Sequence, residues 1–129
     1  MDAVGPDGQF LGGALAPGVE VSLDALAARA AQLRSVELTV PPQAIGKNTV
    51  AALQSGVVLG FAGLVDGLVD RITAELGAQF GEAPVVVATG GLHRLVVDSC
   101  RSIGERDPDL TVHGLRLAFE RHQGSSSQR

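Results

Sequence analysis

Gly46-Lys47-Asn48-Thr49 is the part of the chain that comes nearest to a phosphate-binding loop. Such a loop requires the pattern G-x-x-x-x-G-K-[ST], in which backbone N–H groups surround the phosphates and the hydroxyl reaches magnesium. Here Pro41 stands where the first glycine is required, and proline has no N–H to donate. Asn48 occupies the hydroxyl position, so the pattern fails at both ends. We therefore interpret these residues as a turn leading into a helix that Asn48 or Thr49 caps.

Thr89-Gly90-Gly91 is the second place where the residue types could bind a ligand. It ends the apolar run that begins at Ala83, and a continuous apolar run predicts a central strand covered on both faces. A helix is predicted to follow over residues 92–100. Open α/β sheets bind ligands at the carboxyl ends of strands, and helix N-termini favour anions. The spacing alone leaves two interpretations open: a ligand-binding loop, or a tight strand-to-helix connection without a ligand.

The remaining reactive side chains do not form a catalytic set. The three histidines have no metal-ligand spacing, so we expect no metal site and place them at the surface or at helix ends (His93, His113 and His122). Cys100 has no histidine partner and is interpreted as a small buried hydrophobe. Asp66 and Asp70 lie one helical turn apart and are assigned to a solvated helix face.

The composition indicates one globular domain of 129 residues, with 45% hydrophobic and 19% charged residues. A net charge of −4 and only 3% aromatic residues give no basis for binding nucleic acid. A single cysteine and a start that does not resemble a signal peptide favour the cytoplasm. The uncharged stretch from Asn48 to Val65 contains polar residues and glycines, so we expect a buried helix rather than a membrane span.

The hydrophobic pattern predicts a mixed α/β order of elements. A hairpin around Gly5–Gly8 opens the chain, and a helix capped by Ser22 follows within Val19–Leu33. A short strand is predicted over Ser35–Val40, and a long helix from about Asn48 to Leu76. The last helix is predicted to start at Asp109 or Thr111.

Two stripes run along the predicted long helix. The apolar stripe is expected to pack in the core (Val50, Leu53, Val57, Phe61, Leu64, Leu68 and Ile72). The second stripe consists of glycines, which allow another helix to approach closely (Gly56, Gly60, Gly63 and Gly67). In water such a stripe indicates a packing or dimer face.

Four blocks of sequence, in this order, resemble the type III pantothenate kinases, and most closely the actinobacterial members. They are "FLGGALAPG", "AIGKNTVAALQSGVVLGFAGLVDGLV", "VVVATGG" and "DPDLTVHGLRLAFER", and the resemblance extends to about Gln123. It implies the second ribonuclease-H-like α/β half of an acetate and sugar kinase, Hsp70 and actin superfamily fold, with the N-terminal half absent. It also implies transfer of the γ-phosphoryl group of ATP to pantothenate, the first step of coenzyme A synthesis. The family uses Mg²⁺ and a monovalent cation, K⁺ or NH₄⁺, and works as a homodimer, here through the 48–76 helix.

The resemblance also assigns roles to single residues. The loop from Gly12 to Gly18 matches the family's pantothenate-lining GGxIxPG loop, with Leu15 in place of isoleucine; the substrate-binding residues are therefore Gly12, Gly13, Leu15 and Gly18. Thr49 matches the threonine that reaches pantothenate from the neighbouring subunit. Thr89, Gly90 and Gly91 match the loop beside the adenosine part of ATP.

The chain also departs from the family pattern. The 129 residues contain no Asp-x-Gly-Asn-Thr phosphate loop, no Gly-x-Asp-Arg motif with its general base, and no Asp-x-Gly-Thr strand. We therefore expect residues 1–123 to be the C-terminal domain of such an enzyme, residues 124–129 to be a disordered tail, and this chain alone to be inactive. No catalytic residue is assigned within it. The alternative is a non-catalytic dimerisation or nucleotide-binding α/β module.

Overall fold

The computed structural model describes residues 1–29, 36–91 and 93–126. Within these ranges the chain forms four helices and four short strands, so it combines helices with small sheets. The elements are, in chain order, β1 (Asp2–Val4), β2 (Phe10–Gly13), α1 (Val19–Arg29), α2 (Thr49–Phe80), β3 (Val87–Ala88), α3 (His93–Val97), β4 (Glu105–Arg106) and α4 (Leu110–Ser126).

The predicted hairpin at the start of the chain is confirmed. β1 pairs with β2 in antiparallel register, with an irregularity between Ala3 and Val4. The turn closes where the N–H of Gly8 donates to the carbonyl of Gly5 at 2.9 Å, and Gly8 adopts a φ of 76°, which favours glycine. The two strands pass so closely that a Cβ on Gly13 would collide with the carbonyl of Met1.

Between the hairpin and α2, the predictions hold only in part. α1 begins at Val19, so Ser22 lies within the helix and its predicted capping role is wrong. The N–H of Ser22 instead donates to the carbonyl of Gly18 at 3.0 Å. The predicted end of this helix and residue 35 lie outside the described residues. Residues 36–40 form no strand, and the side-chain amide of Gln54 holds this segment by donating to the carbonyl of Glu37 at 2.8 Å.

The predicted long helix is confirmed as α2, and it is the longest element among the described residues. Asn48 caps its start, because the side-chain Oδ1 accepts from the N–H of Ala51 at 2.9 Å. Gly46 lies against the first turn, where a Cβ would overlap the backbone of Ala51 and Ala52. The helix runs four residues past Leu76 and ends at Gly81, whose left-handed φ of 79° is typical of a helix C-terminus.

α2 also has the length and composition of a membrane-spanning helix. Its most apolar 18-residue window has a mean hydropathy of 1.6, and 28% of that window is buried within the chain. In the part of the chain that the structure describes, it is the one helix with these properties. A single such helix is weak evidence for a span, because the core helix of a soluble protein has the same properties.

The core lies between α2 and α3, and it differs from the predicted apolar stripe. The buried side chains are mostly small (Ser55, Val57, Val58, Ala62 and Asp66 on α2; Val96 and Val97 on α3). Of the predicted stripe, Val57 is buried, whereas Val50 and Leu64 are exposed. The physical reason is that α3 packs on the other side of α2, where small side chains let the two helices approach closely.

The second sheet is much smaller than the sequence predicts. A strand does form within the predicted run from Ala83 to Gly91, but β3 contains only two residues and pairs in parallel with β4. The predictions that the strand fills the run and is covered on both faces are therefore wrong for the described residues. Val85 is 75% exposed and Val87 is 43% exposed. The apolar run has no second neighbouring strand among the described residues, and its hydrophobicity is therefore not matched by burial within the chain.

The last two helices also differ from their predicted limits. α3 has five residues, shorter than the predicted helix over residues 92–100, of which residue 92 is not described. α4 begins directly after Asp109, whose carbonyl accepts from the N–H of His113 at 2.9 Å. Gly124, Ser125 and Ser126 belong to α4, and the remainder of the predicted tail lies outside the described residues.

The chain leaves a large surface open to solvent. Its accessible area is 9468 Å², whereas a folded monomer of 13.2 kDa is expected to expose roughly 6400 Å². Exposed apolar side chains occur in the hairpin, in the segment before α2 and along α4, as Phe10, Ile45 and Phe119 illustrate. Much of the apolar surface is therefore available for contact with another protein surface.

Candidate functional site

The glycine-rich loop that follows β2 borders a cleft against α2. The cleft has a volume of about 340 Å³ and includes Gly12 and Gly13 on the hairpin side and Arg71, Ile72 and Glu75 on the helix side. Gly12 has a φ of 122°, which a residue with a side chain rarely adopts. The hairpin thus presents the backbone of Gly12 and Gly13 to the cleft, next to Ala3, Leu11 and Ala14.

The two other residues predicted for this loop lie outside the cleft lining. Leu15 is fully exposed, at 100% of its possible area. Gly18 is exposed immediately before α1, and a Cβ there would meet no atom of the described residues within 4 Å. Gly12 and Gly13, at the start of the predicted substrate-binding loop, therefore lie against α2. Leu15 and Gly18, further along the loop, are exposed to solvent.

Thr49 lies at the opposite end of α2. It is the first residue of the helix and lines a shallow surface depression of about 500 Å³ together with Gly46, Lys47, Asn48, Ala52 and Leu53. Thr49 is exposed. Its hydroxyl is consequently free to meet a partner from outside this part of the chain.

The length of α2 separates Thr49 from the cleft beside Gly12, the two predicted parts of a substrate site. On α2 the cleft beside Gly12 begins at Leu68, and the helical rise from Thr49 to Leu68 amounts to about 28 Å. One chain therefore does not bring Thr49 and the glycine-rich loop together.

Thr89, Gly90 and Gly91 follow β3, as the sequence predicts, and all three are exposed. Gly90 has a φ of 97°, so the turn out of the strand requires a conformation that favours glycine. The strand before the loop is fixed by β4: the N–H of Glu105 donates to the carbonyl of Val86 at 3.1 Å, and that of Asp107 to the carbonyl of Ala88 at 3.0 Å. The loop therefore leaves from a paired strand end.

Asp66 is the charged side chain that the sequence analysis placed wrongly. Instead of lying on a solvated face, it is 5% exposed in the middle of α2. Its carboxylate accepts from the N–H of Arg101 at 2.9 Å, from the N–H of Ser102 at 3.0 Å and from the Ser102 hydroxyl at 2.7 Å. The Nε of Arg101 lies 3.3 Å from the second carboxylate oxygen. Burial of this charge is possible because four donors surround it.

These bonds strongly favour the ionised form. The Ser102 hydroxyl is the main cause that lowers the pKa of Asp66 from 3.8 to about 2, and the N–H groups of Ser102 and Arg101 and the Arg101 guanidinium add to it. Burial opposes the shift. A sequence signal for this role exists in the spacing of Ser55, Val58, Ala62 and Asp66, which lie at i, i+3, i+7 and i+11 and form one face of the helix.

Cys100 lies beside this carboxylate and is half-buried rather than fully buried. Its thiol lies 3.2 Å from the carbonyl of Val96 and donates to it. Burial raises the pKa of Cys100, and the negative charge of Asp66 raises it further. Both effects favour the neutral thiol over the thiolate. Among the described residues, no group of three or more His, Cys, Asp or Glu side chains could hold a metal ion.

Comparison with known proteins gives one consistent family. The model of the type III pantothenate kinases matches residues 1–71. A type III pantothenate kinase of Saccharopolyspora erythraea is 58% identical over 125 residues, which cover 97% of this chain and 47% of that protein. Those of Rhodococcus opacus and Acidothermus cellulolyticus are 52% and 55% identical, over 100% and 95% of this chain and 48% and 46% of their own lengths. The chain spans about half the length of the curated relatives it matches.

Proposed function

The chain belongs to the type III pantothenate kinase family, and on that premise we propose that it supplies one half of an ATP-dependent pantothenate kinase. The reaction would transfer the γ-phosphoryl group of ATP to the hydroxyl of pantothenate, the first step of coenzyme A biosynthesis. The half described here would bind pantothenate and the adenosine part of ATP. The phosphate loop and the general base would come from residues outside these 129.

The proposed architecture is the second ribonuclease-H-like half of a two-lobed kinase. Two observations support it: the strand–helix–strand order of β3, α3 and β4 with parallel pairing, and the large apolar surface that the chain leaves open. The other half of the enzyme and a second copy of this half would together cover that surface.

The observation that carries the proposal is the separation of Thr49 from the glycine-rich loop along α2. Because about 28 Å of helix divides them, a shared pantothenate site is possible only if Thr49 comes from a second subunit. The glycine face of α2 supports such a dimer: Cβ atoms built at Gly56, Gly60 and Gly63 would meet no atom of the described residues within 4 Å. Two copies could therefore meet along this face.

Each proposed binding residue then has a physical task. Gly12 and Gly13 bring backbone close to pantothenate, and Leu15 and Gly18 close the loop over it. Thr49 would donate or accept a hydrogen bond through its exposed hydroxyl. Thr89, Gly90 and Gly91 would leave room for the adenosine, since no side chain projects from the two glycines.

Among the described residues, no group of three or more His, Cys, Asp or Glu side chains offers a ligand set for the divalent cation of the reaction. Mg²⁺ requires several oxygen ligands in octahedral geometry, and the carboxylate of Asp66 is already occupied by backbone and side-chain donors. We therefore derive no step through Mg²⁺, K⁺ or NH₄⁺ from these residues. The cations belong to the proposal only as cofactors of the whole enzyme.

The proposal places the enzyme in the cytoplasm, where ATP and pantothenate are available, without a nucleic-acid or membrane partner. The net charge of −4 supports the absence of a nucleic-acid partner. The apolar character of α2 is assigned to the core and the dimer face rather than to a bilayer. In this proposal the exposed glycine face of α2 contacts a second copy of the chain.

Mixed subunits test this proposal directly. Residues 1–123 would replace the matching segment of the Saccharopolyspora erythraea enzyme, and pantothenate phosphorylation would be measured with ATP, Mg²⁺ and K⁺. We expect Thr49→Val and Gly12→Val each to abolish most activity. Mixing the two variants should restore about a quarter of the activity, because half of the dimers are mixed and each carries one intact site.

Two results would contradict the proposal. If the mixture recovers nothing although mixed dimers form, Thr49 does not act across the interface. If Thr49→Val raises KM for ATP as much as KM for pantothenate, the assignment of Thr49 to pantothenate is wrong. As a control, the 129-residue chain alone should show no phosphorylation above the background of the reaction.

A further inference from the structure

The segment from Thr89 to Asp107 leaves the second sheet and returns to it. It begins at the end of β3, passes through α3 and a turn at residues 98–104, and comes back as β4 beside β3. The first residues of this excursion are Thr89, Gly90 and Gly91. Whatever fixes the returning strand therefore also fixes the point from which the loop departs.

The sheet alone is a weak support for this excursion. β3 and β4 pair over two residues each, and both strands of the pair are largely exposed. An ion pair joins Arg106 to Asp98 at 2.6 Å, but both side chains are about half exposed, so it contributes little. A stronger anchor must come from a buried contact with another element.

Asp66 provides that contact. Its carboxylate binds the N–H groups of Arg101 and Ser102, which lie three to four residues before β4. The Ser102 hydroxyl adds a third bond at 2.7 Å, and only 8% of the Asp66 side chain is exposed. The bonds join α2 to the middle of the excursion over 35 and 36 residues of sequence. They are shorter than the other part-buried polar contact between these two parts, in which the thiol of Cys100 lies 4.0 Å from the carbonyl of Ala62.

From this geometry we infer that Asp66 is a positioning residue for the nucleotide loop Thr89–Gly91. The carboxylate fixes the turn at Arg101 and Ser102, the turn fixes the start of β4, and β4 holds β3 through the carbonyls of Val86 and Ala88. Asp66 touches neither substrate. The assignment of the loop to ATP rests on the proposed function, whereas the mechanical link from Asp66 to β3 does not.

Amide hydrogen exchange on the 129-residue chain tests the link without requiring catalysis. Asp66→Asn removes the negative charge and replaces one carboxylate oxygen with an NH₂ group, so a single neutral oxygen is left for the four donors and the bonds that it accepts are weaker. We expect the amides of Arg101 and Ser102, and also those of Glu105 and Asp107, to exchange roughly tenfold faster or more. Asp70→Asn, an exposed aspartate one turn further along α2, should leave all four rates unchanged.

Ser102→Ala provides a milder variant that removes one bond and keeps the carboxylate. It should accelerate the same four amides, by less than Asp66→Asn does. Faster exchange confined to Arg101 and Ser102 in both variants would overturn the inference, because Asp66 would then stabilise only the turn at these two residues and not β4 or β3. Uniformly faster exchange across α1 and the β1–β2 hairpin would overturn it as well, since the effect would be global.

The kinase fusion described above gives the functional readout. Ser102→Ala should raise KM for ATP several-fold and leave KM for pantothenate unchanged, while Asp70→Asn should change neither. An equal rise in both values would contradict a role at the nucleotide loop. If the unsubstituted fusion is inactive, the proposed function fails, and the exchange rates still decide whether Asp66 holds β4 and β3.

Discussion

On one side of α2, Val58, Ala62 and Asp66 are buried against α3 and the turn that follows it. On the other side, Gly56, Gly60 and Gly63 are exposed, and an added Cβ at each would have open space around it. Both faces consist of small residues at helical spacing. The difference is that one face has a partner element within the described chain and the other does not.

This contrast shows that small residues on a helix do not by themselves determine what covers them. On the buried face, α3 packs closely against α2, and the carboxylate of Asp66 accepts from four donors in the turn that follows α3. Together these interactions form a fixed tertiary contact. The glycine face carries no such polar group. It can accept a smooth surface such as the same face of a second copy. Four experiments test this difference between the two faces, from the largest expected effect to the smallest.

Removing the carboxylate from the buried face should have the largest effect. Asp66→Ala leaves the N–H groups of Arg101 and Ser102 without their acceptor, and we expect the free energy of unfolding to fall by about 3 kcal/mol. Urea denaturation followed by circular dichroism gives this value at an unchanged m. Asp70→Ala is the matched control, and a similar loss there would show that Asp66 has no special contact.

Acid should weaken the same contact in the unmodified chain. The pKa of Asp66 is about 2 in the folded state and 3.8 without its partners, so its contribution is complete above pH 3.8 and is lost as the pH falls toward 2. The expected loss is roughly 2 kcal/mol over that range. Cys100, whose pKa is raised by burial and by the charge of Asp66, stays neutral over this range.

The acid effect can be assigned by comparing variants. Urea unfolding curves between pH 5 and pH 2 should show a steeper loss of stability for the unmodified chain than for Asp66→Asn. The difference between the two curves isolates Asp66 from the other carboxylates. Equal slopes would mean that the carboxylate has the same pKa in the folded and unfolded chain.

Local sequence signals predicted the elements whose determinants are local. The hairpin and the start of α2 at Asn48 were predicted correctly, because turn residues and helix N-caps act within a few residues. The end of α2 was predicted at Leu76, four residues before its last helical residue. Val85 to Ala88 shows the limit. A continuous apolar run indicates a strand that something covers, but it does not say whether the cover lies within the same chain.

The candidate site divides in the same way. Gly12 and Gly90 were singled out from their sequence context, and both adopt backbone conformations that favour glycine. Asp66 was assigned to solvent because Asp70 and Arg71 are near it in sequence. Its real partners, Arg101 and Ser102, are 35 and 36 residues away, and no local pattern relates them. The glycine face of α2 was predicted from the sequence, whereas the buried face, which includes Ser55, Val58, Ala62 and Asp66, was not.

A large side chain on the open face should weaken association without harming the fold. Gly60→Leu introduces a side chain where two helices would approach, so we expect the dissociation constant of the dimer to rise at least about tenfold, or about 1.4 kcal/mol. Sedimentation equilibrium over a concentration series measures it. The secondary structure should be unchanged, because Cβ has space at this position and leucine favours helix more than glycine.

Gly114→Leu in α4 is the matched control for this variant. Gly114 is also an exposed helical glycine with open space around its Cβ position, but it is not on α2. It should gain the same helix propensity and leave association unchanged. If both variants and the unmodified chain are monomers at all concentrations, the glycine face is not a dimer face.

The start of α2, which both faces share, should give the smallest effect. Asn48→Ala removes the oxygen that accepts from the N–H of Ala51, and loss of such a cap costs about 1 kcal/mol in the free energy of unfolding. Asn48→Asp keeps an acceptor at the same place and should retain the stability, as measured by urea denaturation. If the cap only stabilises the helix, neither variant should change the dissociation constant of the dimer beyond what the lost stability explains. A larger change in Asn48→Ala would mean that the turn carrying Thr49 is itself part of the interface between the two copies.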